Sequence, residues 1–188
     1  MAYFLPYTLF TLYFTIFLTI FNKSIDGFSI KQSVQQKKVT QTVNAKHLHF
    51  YFHDILSGKN PTAVNIITPP DGLISSFGST LMIDDALTEG QDSSSKVIGR
   101  AQGFYSVASQ SDLAFLMVMT FSFVEGEYRG SSLSILGRNP VLNDVREMPV
   151  VGGTGKFRFA RGYALAHTVW FDASTGDATV EYNVHVSG

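Results

Sequence analysis

Asp54 is the residue with the most chemical potential in this chain. Alternation along residues 47–54 puts Leu48, Phe50, Phe52 and Asp54 on one side and His47, His49, Tyr51 and His53 on the other. A carboxyl at the end of a greasy face loses hydration, which raises its pKa and leaves it a proton to give near neutral pH, the profile of a general acid. A strand-end aspartate can equally cap the turn that follows, and both uses stay open at this point. The opposite face offers a competing chemistry, because His47, His49 and His53 have a spacing that suits metal ligands on a barrel wall. Turning them inward would push Phe50 and Phe52 into water, and no Gly-rich lead-in or following Glu accompanies the His-x-His pair. No metal is expected, and these histidines read as surface or subunit-contact residues.

A second cluster spans residues 138–168. Val151-Gly152-Gly153-Thr154-Gly155 predicts a hairpin corner, with Arg146 in the polar loop just ahead of it. The predicted strand after the corner carries Phe157, Phe159, Arg161, Tyr163, Leu165 and His167 on one face and Ala160, Gly162, Ala164, Ala166 and Thr168 on the other. Small side chains facing inward either let a neighbour pack closely or leave a cavity open. The hydroxyl at Thr168 favours a pocket wall. Residues 97–107 repeat the pattern, with Val97, Gly99, Ala101 and Gly103 leading to the phenol of Tyr105. Arg146 is either part of this site or a solvated loop cation.

The elements that must position these groups are strands. Period-two patterning and turn chemistry predict eight of them, over 47–54, 64–68, 78–83, 97–107, 114–124, 131–137, 156–170 and 178–186. The class is all-β, an eight-stranded antiparallel β-barrel, with a sandwich as the alternative. Residues 114–124 are apolar on both faces, so a homo-oligomer is expected, with Met119 and Phe121 as the residues to test at the subunit contact.

Lys and Arg total 14 against 15 acidic residues, which leaves no basic field for nucleic acid. Residues 3–21 carry no charge and predict a secretory signal over 1–24, cleaved between Phe21 and Gly27, rather than a membrane anchor. Residues 25–45 read as a mobile arm and 46–188 as the domain. Asn22-Lys23-Ser24 is a glycosylation sequon that survives only an early cut. The chain has no cysteine, so an exported domain must draw its stability from a closed sheet or from assembly.

Taken together, His49-Phe50-Tyr51-Phe52-His53-Asp54-Ile55, Asp84-Asp85, Val97-Ile98-Gly99-Arg100-Ala101-Gln102-Gly103-Phe104-Tyr105, and Arg146 followed by Gly152-Gly153-Thr154-Gly155-Lys156-Phe157 and Ala160-Arg161-Gly162 resemble the dirigent protein family of plants over residues 46–187. The resemblance implies an eight-stranded antiparallel barrel, a homotrimer, secretion to the apoplast and no metal or organic cofactor. Such proteins steer phenoxy-radical coupling stereoselectively, with an external oxidase (laccase or peroxidase) as the radical source. A legume subgroup, the pterocarpan synthases, dehydrates isoflavanols through a quinone methide.

Asp54, Tyr105, Arg146 and Thr168 match the family's pocket positions. Asn139 stands where lignan-forming members carry a second Asp, Val107 where they carry a second Tyr, and the common disulfide is missing. The resemblance therefore implies Asp54 as proton donor, Arg146 as partner of developing phenolate charge, and Tyr105, Thr168 and Asn139 as substrate-binding groups. A single Asp suits dehydration of a phenolic better than pinoresinol-type coupling. A non-catalytic guide for radical coupling, or a phenolic-binding wall protein, is the alternative.

Overall fold

The computed structural model describes residues 45–188; the signal segment, the Asn22 sequon and the arm short of its last residue lie outside them. Nine strands follow: β1 (Lys46–Asp54), β2 (Ala63–Ile67), β3 (Thr80–Thr88), β4 (Val97–Val107), β5 (Ala114–Phe123), β6 (Ser132–Pro140), β7 (Val145–Thr154), β8 (Arg161–Phe171) and β9 (Ala178–Ser187). All pairings are antiparallel, in the order β1-β9-β8-β7-β6-β5-β4-β3-β2, and β1 also pairs with β3. That last pairing closes an eight-position barrel. β1 takes residues 86–88 of β3 and β2 takes residues 80–83, so the two short partners share one position.

The predicted barrel is therefore present, but one wall was misread. Residues 145–154, expected to be loop and corner, form β7, in which Arg146, Met148 and Val150 point inward and Val145, Glu147, Pro149 and Val151 outward. Pro149 lies just past the point where β6–β7 pairing ends at Ile135–Val150, so its missing N–H costs no ladder bond. The reversal comes at residues 155–160, where Gly155 opens a short 3-10 turn and Phe159 takes a φ of 67° while lying exposed to solvent. Hence β8 begins at Arg161, not at 156. β3 likewise runs to Thr88, five residues past its expected end at 83.

Inside, Phe50, Phe121 and Tyr182 pack with ring centroids 5.1 to 5.9 Å apart. Phe123, Tyr128 and Phe157 plug one end, with the Lys46 ammonium 5.5 Å from the Phe157 ring. The small residues do not hollow out a cavity as expected. A Cβ on Gly162 would lie 1.9 Å from the His185 carbonyl oxygen, and one on Gly103 would lie 2.1 Å from that of Val118. These glycines let neighbouring backbones approach, and the large rings fill the interior beside them.

The two apolar faces of β5 also part differently than expected. Met117, Met119, Phe121 and Phe123 are buried in the core, so Met119 and Phe121 cannot meet a partner. Outside, registered pairs set Val64, Met82, Phe104, Val118 and Leu136 side by side in one row across five strands. Val64, Met82 and Leu136 of that row are exposed.

Candidate functional site

The end of the barrel opposite the Phe157 plug holds a cavity of about 350 Å³. Its floor and walls come from Phe52, Leu81, Met117, Val180 and Tyr182, and its mouth from connecting loops through Leu56, Ile74, Leu113, Leu142 and Gly176. The lining is mostly apolar, with a few convergent polar groups, as a small planar ligand requires.

Asp54 enters this cavity as the last residue of β1, its inward direction fixed by the alternation through Phe50 and Phe52. Its Oδ2 accepts a 2.9 Å hydrogen bond from the Tyr105 hydroxyl, and its Oδ1 is shut off from solvent without a partner. Burial is the main cause that pushes its pKa up to about 7; the Tyr105 hydrogen bond opposes this and the Asp177 charge adds to it. Asp54 is not the cap of its own turn. The amides of Leu56 and Ser57 donate to Asp177 Oδ1 at 2.8 and 3.0 Å, and the Ile55 amide donates to the Thr62 hydroxyl.

Arg146 is not a solvated loop cation either. It is 3% exposed, held inward by the β7 alternation, and lines the same cavity. Its Nε donates to Asn139 Oδ1 at 3.2 Å, and its Nη1 donates to the carbonyls of Asn143 and Asp144 at 3.4 and 3.5 Å. None of the ion pairs among the described residues involves it. Its direct partners are thus amide oxygens, and burial lowers its pKa while Tyr182 and the Asp144 charge oppose. Because Asn139 is neutral, it holds the guanidinium without cancelling it.

Tyr105 sits on β4 and is 4% exposed, its ring stacked on Phe115 at 5.0 Å. Burial raises its pKa well above the usual phenol value, so it acts as a neutral donor to Asp54. Thr168 lines the cavity from β8, beside Val180 of β9. All five expected site residues, Asp54, Tyr105, Asn139, Arg146 and Thr168, therefore line one cavity.

Tyr182 and Asp85 were missed. Tyr182 lines the cavity from β9 and shares its inward face with Val180, Val184 and Val186; a phenol in that apolar register was the available signal. Asp85 is fully buried on β3, and the sequence hides it because the Asp84-Asp85 pair falls past the predicted strand end at 83.

Of the three histidines expected at the surface, His47 and His49 are there and His53 is not. His47 bonds Asn183 at 2.9 Å and stacks on His185, while His49 bonds Glu181 at 2.7 Å. His53 is buried against the hydroxyls of Thr88 and Thr179.

Residues 45–187 match the family model described as dirigent-like protein. Dirigent protein 23 of Arabidopsis thaliana is 53% identical over 142 residues, covering 74% of this chain and 76% of its own. Pterocarpan synthase 1 of Glycyrrhiza echinata is 43% identical over 186 residues, covering 97% of this chain and 92% of its own. The solved structure of the pterocarpan synthase dirigent protein PsPTS1 superposes with a TM-score of 0.73 at 49% identity, covering 76% of this chain and 94% of that one.

Proposed function

The chain belongs to the dirigent family, and from that premise we propose that it binds a phenolic quinone methide or its precursor in the barrel cavity and assists stereoselective ring closure. The reaction class is dehydration of an isoflavanol to a pterocarpan, a hydro-lyase activity needing no metal or organic cofactor. The observation that carries this reading is Asp54, a carboxyl holding its proton near neutral pH at the wall of an apolar cavity that also receives an uncancelled cation.

In the proposed step Asp54 protonates the departing hydroxyl, and the carbon–oxygen bond breaks with its electron pair leaving in water. The ring phenol supplies electrons and loses its proton to solvent, giving the quinone methide. Arg146 stabilises the phenolate charge that develops, an interaction made strong by the dry surroundings. An internal phenol then attacks the methide carbon and returns a proton to Asp54, while the quinone oxygen regains its own. Tyr105, Asn139 and Thr168 orient the reacting groups, Tyr105 by fixing Asp54 and Asn139 by fixing Arg146.

The test is incubation of the purified protein with isoflavanols, and separately with coniferyl alcohol plus a laccase or peroxidase, with chiral chromatography of the products. Pterocarpan of one hand without an oxidase supports the proposal. Lignan enantiomeric excess only in the second mixture would instead make the protein a guide for radical coupling.

The assembly proposed is a homotrimer built on the outward row Val64, Met82, Phe104, Val118 and Leu136, since a contiguous apolar strip of this kind is costly to leave wet. The apolar residues 3–21 support export to the apoplast. Among the described residues no helix is long and apolar enough to cross a membrane.

A further inference from the structure

Asp85 is a carboxyl wholly enclosed in the barrel. It is 0% exposed, and neither carboxylate oxygen has a partner at full hydrogen-bond geometry, although the Thr62 hydroxyl comes near enough to act on it. It shares the inward face of β3 with Leu81, Ile83 and Leu87. The β1–β3 register runs Tyr51 with Thr88, Phe52 with Leu87 and His53 with Ala86. The same register carried one step past its last pair brings Asp54 opposite Asp85 on the inward face, and the Asp54 charge acts on Asp85. There the ladder ends: the Asp84 amide donates to the Thr62 carbonyl, and the Thr62 amide to that of Ile55. The two carboxyls therefore meet at the fork where β1 and β3 separate. Asp54 Oδ1 and both Asp85 oxygens are buried there without partners at full hydrogen-bond geometry. Two neighbouring carboxylates in a dry setting are costly to ionise together, because burial and repulsion outweigh what Tyr105, Thr62 and Arg100 offset.

We propose that Asp54 and Asp85 form a proton-sharing carboxyl dyad, in which Asp85 is the positioning residue that keeps a proton within reach of Asp54. The O–H of one carboxyl donates to the orphaned oxygen of the other. If Asp54 is the acid described above, on which only the functional consequence rests, its proton leaves in the water molecule and the Asp85 proton then hydrogen-bonds to the new carboxylate. The proton released by the attacking phenol restores the pair, so no outside acid is consumed.

The surroundings support this. Burial is the first cause that raises the Asp85 pKa and the Asp54 charge the second, while Thr62 and Arg100 oppose and Asp84 adds. Asp54 is surrounded by the Tyr105 phenol from β4 and the Asp177 charge ahead of β9. The Tyr182 phenol on β9 is raised chiefly by burial, with smaller contributions from both carboxyls, while the Arg146 charge on β7 opposes. The pair therefore titrates as one system.

The experiment is infrared titration of the protonated-carboxyl C=O band in the full chain, from about pH 5 to about pH 9, alongside the pH profile of turnover. The wild type should lose the band in two steps, and Asp85→Asn should lack the upper one. Asp85→Asn should also move the alkaline limb of turnover to lower pH by the separation of the steps, with a rate on the acid side within about threefold of wild type. A residue that only packs would lower rate or stability at every pH and leave the limb in place, and that result overturns the dyad. If Asp85→Asn fails to fold, Asp54→Asn decides: a persisting acid band at neutral pH supports the dyad, and an ionised Asp85 overturns it. Loss of the proposed dehydration would leave every variant without turnover but the infrared steps intact, so the two failures are distinguishable.

Discussion

At the scale of the residue, burial pushes the Asp54 pKa up to about 7, where water would leave a carboxyl fully ionised. Asp54→Asn keeps the shape and the Tyr105 hydrogen bond but removes the transferable proton. Turnover should fall by about 10²–10⁴-fold with KM little changed, read from steady-state kinetics. Asn139→Asp would give Arg146 the counter-charge it now lacks, and turnover should fall by about tenfold as the cation is neutralised. The acid also sets a pH dependence. Its folded pKa, near 7, exceeds the ordinary carboxyl value, so the active form is lost as pH rises through about 7. The folded state binds more protons than the unfolded chain between about pH 4 and that point, so stability is full below about pH 4 and declines as pH rises through the folded value. The thermal midpoint should accordingly drop between about pH 5 and about pH 8, and Asp54→Asn should flatten the drop.

At the scale of the element, the strands are bent together by glycines whose missing side chains are the structural fact. Gly162→Ala would drive a methyl into the His185 carbonyl and pry β8 from β9, costing about 2 kcal/mol or more in chemical denaturation. Gly152→Ala meets nothing within 4 Å and should change stability by less than about 0.5 kcal/mol. From sequence the two glycines look alike, because period-two patterning gives a residue's face but not the distance to the next backbone. That is why a pocket wall was expected where the strands simply touch. β7 hid for a related reason: Arg146 and Pro149 break an apolar alternation that is intact in space. Asp54, by contrast, was legible because three apolar neighbours on one face fix its direction. Asp85 was not, since an Asp-Asp pair reads as a strand end until the chain is seen to continue through it to Leu87.

At the scale of the molecule, the outer apolar row should decide assembly. Val118→Lys should turn a trimer into a soluble folded monomer by sedimentation, whereas Met119→Lys should unfold the barrel because its side chain is in the core. One feature of the ladder governs time as well as place. β1 pairs along its whole length with β9, Lys46 with Val186 and Asp54 with Ala178, partners 140 and 124 positions apart, while its grip on β3 is three residues long. Closing a loop of that span is slow, so the long β1–β9 edge should form later than the local hairpins, with only the short β3 contact to hold β1 before then. The cavity wall at Asp54, at the end of that edge beside Ala178, should accordingly take shape with the closing of the barrel.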